Sequence, residues 1–192
     1  MDQTKLDKLR ALYADREVFH DGEDPVLTAA ARQVQCPDGR RAQPYSGIPT
    51  LLGLPSVSSA ADLDIALVGV PMDLGVSNRP GARFGPRAVR GVERIGPYHP
   101  TFRGVPKSAV RAADVGDVPF RSRFSLEQSL EDIEQYYAAL VAQGVRPLSV
   151  GIGADVVEVA PQYDPTTNTS QLAAQLLFEE FALTALGSKL HF

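Results

Sequence analysis

Residues 64–71, DIALVGVP, constrain this chain more than any other stretch. An unbroken apolar run with a charge before it and a proline after it is the pattern of a strand buried on both faces. Such strands belong to parallel sheets, whose crossovers cover both sides with helices. The next residues fit that demand. The loop MDLGVSNRPGARFG is dense in glycine and turn formers, and a helix is expected from Pro86 to about Gly96. A second strand is expected over residues 112–118. Residues 125–143 carry the clearest helical signal. Ser125 stands at the cap with Gln128 three residues on, Leu126, Leu130, Ile133, Tyr137 and Leu140 recur on one face, and Gly144 ends the pattern. Strands are expected at 146–151 and 154–159, and a final helix at 168–187. Alternating strands and helices mean α/β with a mainly parallel sheet.

Upstream, Leu6, Leu9, Leu12 and Tyr13 suggest a short amphipathic helix over 4–18, and Pro25 suits the first turn of a second over 25–35. Residues 36–58 are rich in proline, glycine, serine and arginine and read as an extended arm. The expected division is therefore 1–59, helices and arm, and 60–192, the α/β domain. At 192 residues there is material for one real core. The net charge of -4 argues against a general nucleic-acid binder. Cys36 is the single cysteine, so no internal disulfide forms and a reducing compartment is expected. The charged N-terminus has no signal-peptide core, and no apolar run approaches the ~18 residues of a membrane span. Cytoplasm, with neither nucleic acid nor membrane as partner, is the expectation.

The chemistry-bearing residues are sparse. Of the three histidines, His20 lies in an acidic patch with Asp21, Glu23 and Asp24, His99 stands alone, and His191 is next to the last residue. None has a second histidine or cysteine at ligand spacing, and the acidic patch reads as a solvated loop. Arg79, Arg83, Arg87, Arg90 and Arg94 recur at helical spacing. They suit either an anion site or, given the acidic balance, a surface face or subunit contact. Asp114 and Asp117 flank a glycine at a strand end and are read as turn formers rather than an acid–base pair. The glycines fit neither G-x-G-x-x-G nor a P-loop, and no G-x-S-x-G elbow is present.

Several stretches together resemble the ureohydrolases, the arginase and agmatinase family. IALVGVPMDLGVSNRPGARFGPRAVR is similar to that family's first strand, loop and helix. ADVGDVPF resembles its second strand, RPLSVG its third, GADVVEVAPQYDPTTNTSQLAAQLLFE its last strand and helix, and PYSGIPTLLGLP its preceding arm. The resemblance implies an α/β, arginase-like three-layer fold, truncated to strands matching 2-1-3-8 of the family sheet. It also implies metal-dependent hydrolysis of a guanidino compound, such as agmatine, guanidinobutyrate or guanidine, to urea or ammonia plus an amine. In the family two manganese ions (nickel in some members) generate the attacking hydroxide. The motifs that supply those metal ligands, Gly-Gly-Asp-His-Ser, Asp-Ala-His-X-Asp and Ser-X-Asp-X-Asp-X-X-Asp-Pro, are absent: Ile152-Gly153-Ala154 runs straight from the third-strand match into the last.

The resemblance thus leaves no metal ligands, no catalytic residues and no cofactor to expect in the chain. Glu158 alone matches a family site position, the glutamate that pairs with the substrate guanidinium. Two functional readings remain: a non-catalytic shortened subunit, assembled with itself or with a full-length paralogue, or an active amidinohydrolase whose full-length form contains the central segment. At the junction, strands 146–151 and 154–159 are too close in sequence for a parallel crossover, so a hairpin or detachment is expected.

Overall fold

The computed structural model describes Gln3, Thr4, Asp7 and residues 46–187, except 78, 93–95, 97, 152–155, 157–158 and 165. The chain divides into two units, Met1–Ala42 and Gln43–Phe192. In the first, Gln3, Thr4 and Asp7 are helical; the rest of the helix expected over 4–18, and all of that over 25–35, lies outside the described residues. The second unit holds the sheet and its helices.

The apolar run forms β1 (Ile65–Val70), and all six of its residues are buried. It is the centre of a three-stranded parallel sheet, β2-β1-β3, with β2 at Ala112–Asp117 and β3 at Arg146–Gly151. The register with β3 is unbroken from Ile65 opposite Arg146 to Val70 opposite Gly151, whereas the β2 pairing shifts between Leu67 and Gly69. Because side chains alternate across a strand, β1 feeds two cores. Ile65 and Leu67 pack on one face with Leu148, Val150 and the helix residues Val89, Leu177 and Phe181. Ala66, Val68 and Val70 pack on the other with Val118, Leu140 and Val145. Helices therefore lie on both faces and the fold is a three-layer α/β arrangement. Each fully buried chain of this size contributes about 1.5–3 kcal/mol.

Among the described residues, four helices complete it: α1 (Gly85–Arg90), α2 (Pro106–Ala109), α3 (Leu126–Ala142) and α4 (Asn168–Leu186). Ser125 caps α3 as its sequence requires, its hydroxyl accepting from the Gln128 N–H at 3.3 Å. At the other end Gly144 takes φ +76, and the Val145 N–H reaches back to Leu140 C=O at 3.1 Å, a Schellman closure. The stripe expected for α3 holds in its later turns, where Ile133 and Tyr137 pack with buried Leu140, but not at its start. Leu126 and Leu130 are exposed, and Ser129, Asp132 and Leu140 are buried. The cause is local. Arg121 grips Asp132 through its backbone N–H and guanidinium, and Ser129 donates to Ser125 C=O, so a polar clip takes the inner side of the first turns. Helix α4 matches the final helix closely. Asp164 serves its N-terminus by accepting the Thr169 N–H, and α4 buries Ala173, Ala174, Leu177, Phe181, Ala182 and Ala185.

Two features depart from the sequence expectation. Part of the arm packs into the core: Leu51 and Leu54 are buried against the α4 side. Around them the chain caps the free edge of β2, with Asp114 N–H donating to Pro55 C=O and Val57 N–H to Asp114 C=O. At the junction, the described residues show neither the hairpin nor the detachment expected. Val156 forms a single parallel bridge to Val150, with Gly151 N–H donating to Val156 C=O at 2.9 Å and Val156 N–H to Ser149 C=O at 3.1 Å. The crossover rule concerns whole strands, and one residue pair has no length to return along. Gly151 itself requires glycine: its φ is +140, and a Cβ there would sit 2.1 Å from the Val70 carbonyl oxygen. The stretch expected as a fourth strand thus contributes one bridge among its described residues, and Val156 and Val159 join the core.

Candidate functional site

In a β2-β1-β3 sheet the chain leaves β1 toward one side and later crosses to the other. The switch point lies between the carboxyl ends of β1 and β3, where open α/β sheets hold their ligands. Two segments meet beyond that edge: the loop after β1, residues 71–81, and the 3-10 turn Pro161–Tyr163, which comes soon after Val159. Gln162 Nε2 and the Tyr163 hydroxyl both donate to Pro80 C=O, at 2.8 and 3.2 Å.

Asp73 organises the loop. Its side chain is buried, and its carboxylate accepts from Gly81 N–H and Arg83 Nε, both at 2.6 Å, with a further contact from the Arg83 terminal nitrogen. The Arg83 hydrogen bond, against the opposing effect of burial, holds the Asp73 carboxyl below its usual range. Gly81 suits its place by its positive φ. It has φ +144, and a Cβ would lie 1.2 Å from Gln162 Nε2, so the loop and the 161–163 turn close on each other without side-chain bulk. Arg79 projects from the same loop over the Tyr163 ring, its guanidinium carbon 5.4 Å from the ring centroid.

A second ionic cluster ties α1 to β2. Arg90 Nε donates to Asp114 at 2.8 Å, its Nη2 to the other Asp114 oxygen at 2.9 Å and to Gly116 C=O at 3.1 Å, and its Nη1 to Asp117 at 2.6 Å. Asp114 also accepts from Leu51 N–H at 2.8 Å and Gly116 N–H at 2.9 Å. Burial pushes the Asp114 carboxyl up, but Arg90 and the two amides outweigh it and leave it lowered; Arg90 is correspondingly raised. Asp114 and Asp117 are thus more than turn formers, and Arg83 and Arg90 are not free surface cations; Arg87 is exposed. Pairing across 24 residues leaves no local trace in a sequence. What signal there was lay in aspartates and arginines alternating around glycines.

His99 is buried and stands apart from the switch point. Its Nδ1 accepts from Phe102 N–H at 3.3 Å, so Nε2 carries the proton and donates to Glu179 at 2.7 Å. The His99 hydrogen bond, then that of Gln175, holds the Glu179 carboxyl low. Glu158, Arg94, His20, Asp21, Glu23, Asp24, Cys36 and His191 lie outside the described residues.

The donors among the described residues do not fit a two-metal centre. Among the described residues no three His, Cys, Asp or Glu side chains converge as ligands would. The buried carboxylates Asp73, in the loop after β1, and Asp114, within β2, already face arginine and backbone N–H groups.

Comparison with known proteins agrees with the geometry. The arginase family profile matches residues 63–151 and 152–182, two stretches that meet at the Gly151–Ile152 bond. Guanidinobutyrase of Pseudomonas aeruginosa is 39% identical over 117 residues, 59% of this chain and 36% of that protein. The human mitochondrial guanidino acid hydrolase is 38% identical over 126 residues, 61% of this chain and 36% of that protein. The crystal structure of proclavaminate amidino hydrolase from Streptomyces clavuligerus aligns with TM-score 0.52 and 26% identity over 56% of this chain and 36% of that one. The chain spans about a third of the length of the relatives it matches.

Proposed function

The chain belongs to the arginase family, and from that premise we propose that it is a shortened ureohydrolase-fold protein that does not itself hydrolyse guanidino compounds. One observation carries the reading. Asp73 in the loop after β1 and Asp114 within β2 are arginine-locked carboxylates, and among the described residues no set of oxygen or nitrogen donors is offered to a metal. The family's hydrolysis depends on a metal-activated hydroxide, for which no residue of the described set substitutes. Asp73 and Arg90 hold loop and helix in place; neither has a spare proton or an open coordination position to offer. Glu158 is read as the inherited partner of a guanidinium.

In this reading the chain works by association, with a second copy or with a full-length paralogue. Support comes from the apolar surface. Leu172, Leu176 and Leu183 stand 48–60% exposed on one side of α4, and Phe124 and Ile48 are 89% and 81% exposed. Strand addition is the weaker route to assembly. Arg146 N–H points to Asp64 on the β1 side, so Pro147 faces outward, and it has no N–H to offer a new strand. The cytoplasm is the proposed compartment on the strength of the lone cysteine; among the described residues no helix is long and apolar enough to cross a membrane.

The second reading, an active amidinohydrolase whose full-length form contains a central segment, is favoured by the break of the family match at Gly151–Ile152. Urea release from agmatine, guanidinobutyrate, guanidinopropionate and guanidine in the presence of manganese or nickel decides between them. The proposal expects none. A metal-dependent signal that disappears in Glu158→Ala supports the second reading, as does an intact mass larger than 20.7 kDa for the native protein.

A further inference from the structure

We propose that Arg79, laid on the face of Tyr163 beyond the switch point, forms a binding site for the carboxylate of a small molecule. The inference goes beyond the functional reading, since it needs neither a metal nor turnover.

The loop after β1 carries two arginines with different fates. Arg83 is spent on Asp73, which lies against it with a buried carboxylate. Arg79 lies 5.4 Å from the Tyr163 ring centroid, and among the described residues it has no carboxylate within ion-pair distance. A cation–π contact at this distance uses the charge of the guanidinium and none of its N–H donors, so the arginine still presents a fork that matches a carboxylate. The stack also removes part of the rotamer freedom that an exposed arginine otherwise loses on pairing.

The backbone under Arg79 is fixed from both sides. Pro80 C=O accepts from Gln162 Nε2 and from the Tyr163 hydroxyl. Gly81 N–H is held by Asp73 and its α-carbon is packed against the Gln162 side chain. The ring and the guanidinium are therefore mounted on segments hydrogen-bonded to each other, and both side chains remain open to solvent. The charge of the neighbouring Asp73 does not compete, because Arg83 and Gly81 N–H already compensate it. A preset, uncompensated arginine fork at the ligand-holding edge of an α/β sheet selects a planar anion of carboxylate size.

The test uses the full chain and three probes: butyrate, 4-guanidinobutyrate, and agmatine, which carries an amine where 4-guanidinobutyrate carries its carboxylate. The Arg79 Nε–Hε signal is assigned in the nuclear magnetic resonance spectrum by its loss in Arg79→Gln. Butyrate and 4-guanidinobutyrate should shift that signal in a saturable way, and agmatine should not. Arg79→Gln should weaken 4-guanidinobutyrate about fivefold, the upper end for a solvent-exposed pair, and leave agmatine unchanged. Arg79→Lys should recover little, since it keeps the charge but loses the fork and the stack. If butyrate shifts Arg79 while agmatine and 4-guanidinobutyrate bind no better than butyrate, the carboxylate site stands and an inherited guanidinium site does not. If agmatine and 4-guanidinobutyrate bind equally well and Arg79 does not respond, the guanidinium site stands and this proposal is overturned. Absence of any shift with either carboxylate, or a lysine variant equal to the wild type, also overturns it.

Discussion

Replacing Arg90 by methionine isolates the interaction that joins α1 to β2. The methionine keeps an apolar stem of similar length and removes four hydrogen bonds to Asp114, Gly116 and Asp117. The Asp114 side chain is 3% exposed and that of Arg90 13%, so what remains is a carboxylate sealed in the fold with only Leu51 and Gly116 N–H as donors. Removing one partner of a buried pair costs about 3–5 kcal/mol. The two amides that stay offset about 1 kcal/mol each, so the expected loss at pH 7 is about 1–3 kcal/mol. In a domain of this size that lowers the melting temperature by about 2–12 °C. The pH dependence gives the sharper signature. In the wild type the folded Asp114 carboxyl is lowered, so its contribution is present above the unfolded value of about 3.9 and fades as the pH falls through the lower folded value. In the variant, burial acts without the guanidinium and raises the folded value above the unfolded one. Stability is then lost above that raised value and returns as the carboxyl protonates, so the gap between variant and wild type narrows on acidification. Urea unfolding followed by circular dichroism at pH 7 and at pH 4 reads both quantities. A variant within about 0.5 kcal/mol of wild type at pH 7, the range of an ordinary surface substitution, would refute the reasoning, as would a gap that is the same at both pH values.

Asp73→Asn should release the loop after β1: hydrogen exchange at the Gly81 amide should quicken markedly with little change at β1, and the wild-type loop should show the same loss as the pH falls below the ordinary carboxylate range, because Asp73 is lowered in the fold. Gly151→Ala places a Cβ against the Val70 carbonyl at positive φ and should cost more than about 2 kcal/mol, whereas Gly116→Ala, at φ +87 in open space, should cost about 1 kcal/mol; urea midpoints rank the two. Phe181→Ala, at a site 2% exposed, should lose about 3–5 kcal/mol. Leu183→Ala, 56% exposed on the outer side of α4, should leave monomer stability within about 0.5 kcal/mol and weaken self-association in light scattering if α4 is the contact.

The elements that were legible in the sequence are those whose signal is local. β1 announced itself by apolar continuity, α3 by Ser125 and Gly144 at its ends, and α4 by its run of alanine and leucine. Periodicity found the inner face of α3 at Ile133, Tyr137 and Leu140 but misplaced its first turns, since it sees Leu126 and Leu130 but not Arg121, which draws Asp132 inward. The arm was underestimated for the same reason. Leu51 and Leu54 lie in a proline- and glycine-rich stretch, and only the free edge of β2 shows why they pack. The junction failed because a rule for whole strands was applied to what became one bridge, at Val156. At the candidate site the family resemblance pointed to Glu158. The residues that organise the described part, Asp73 with Arg83 and Asp114 with Arg90, are joined by tertiary proximity that spacing does not encode.

The central claim is that this arginase-family chain offers no metal centre, and metal content tests it most directly. The full chain is equilibrated with manganese or nickel, passed through a desalting column, and measured for metal and protein on the same sample. The account predicts a metal content close to zero per chain. About two tightly held ions per chain, the stoichiometry of a bridged hydroxide site, would contradict it.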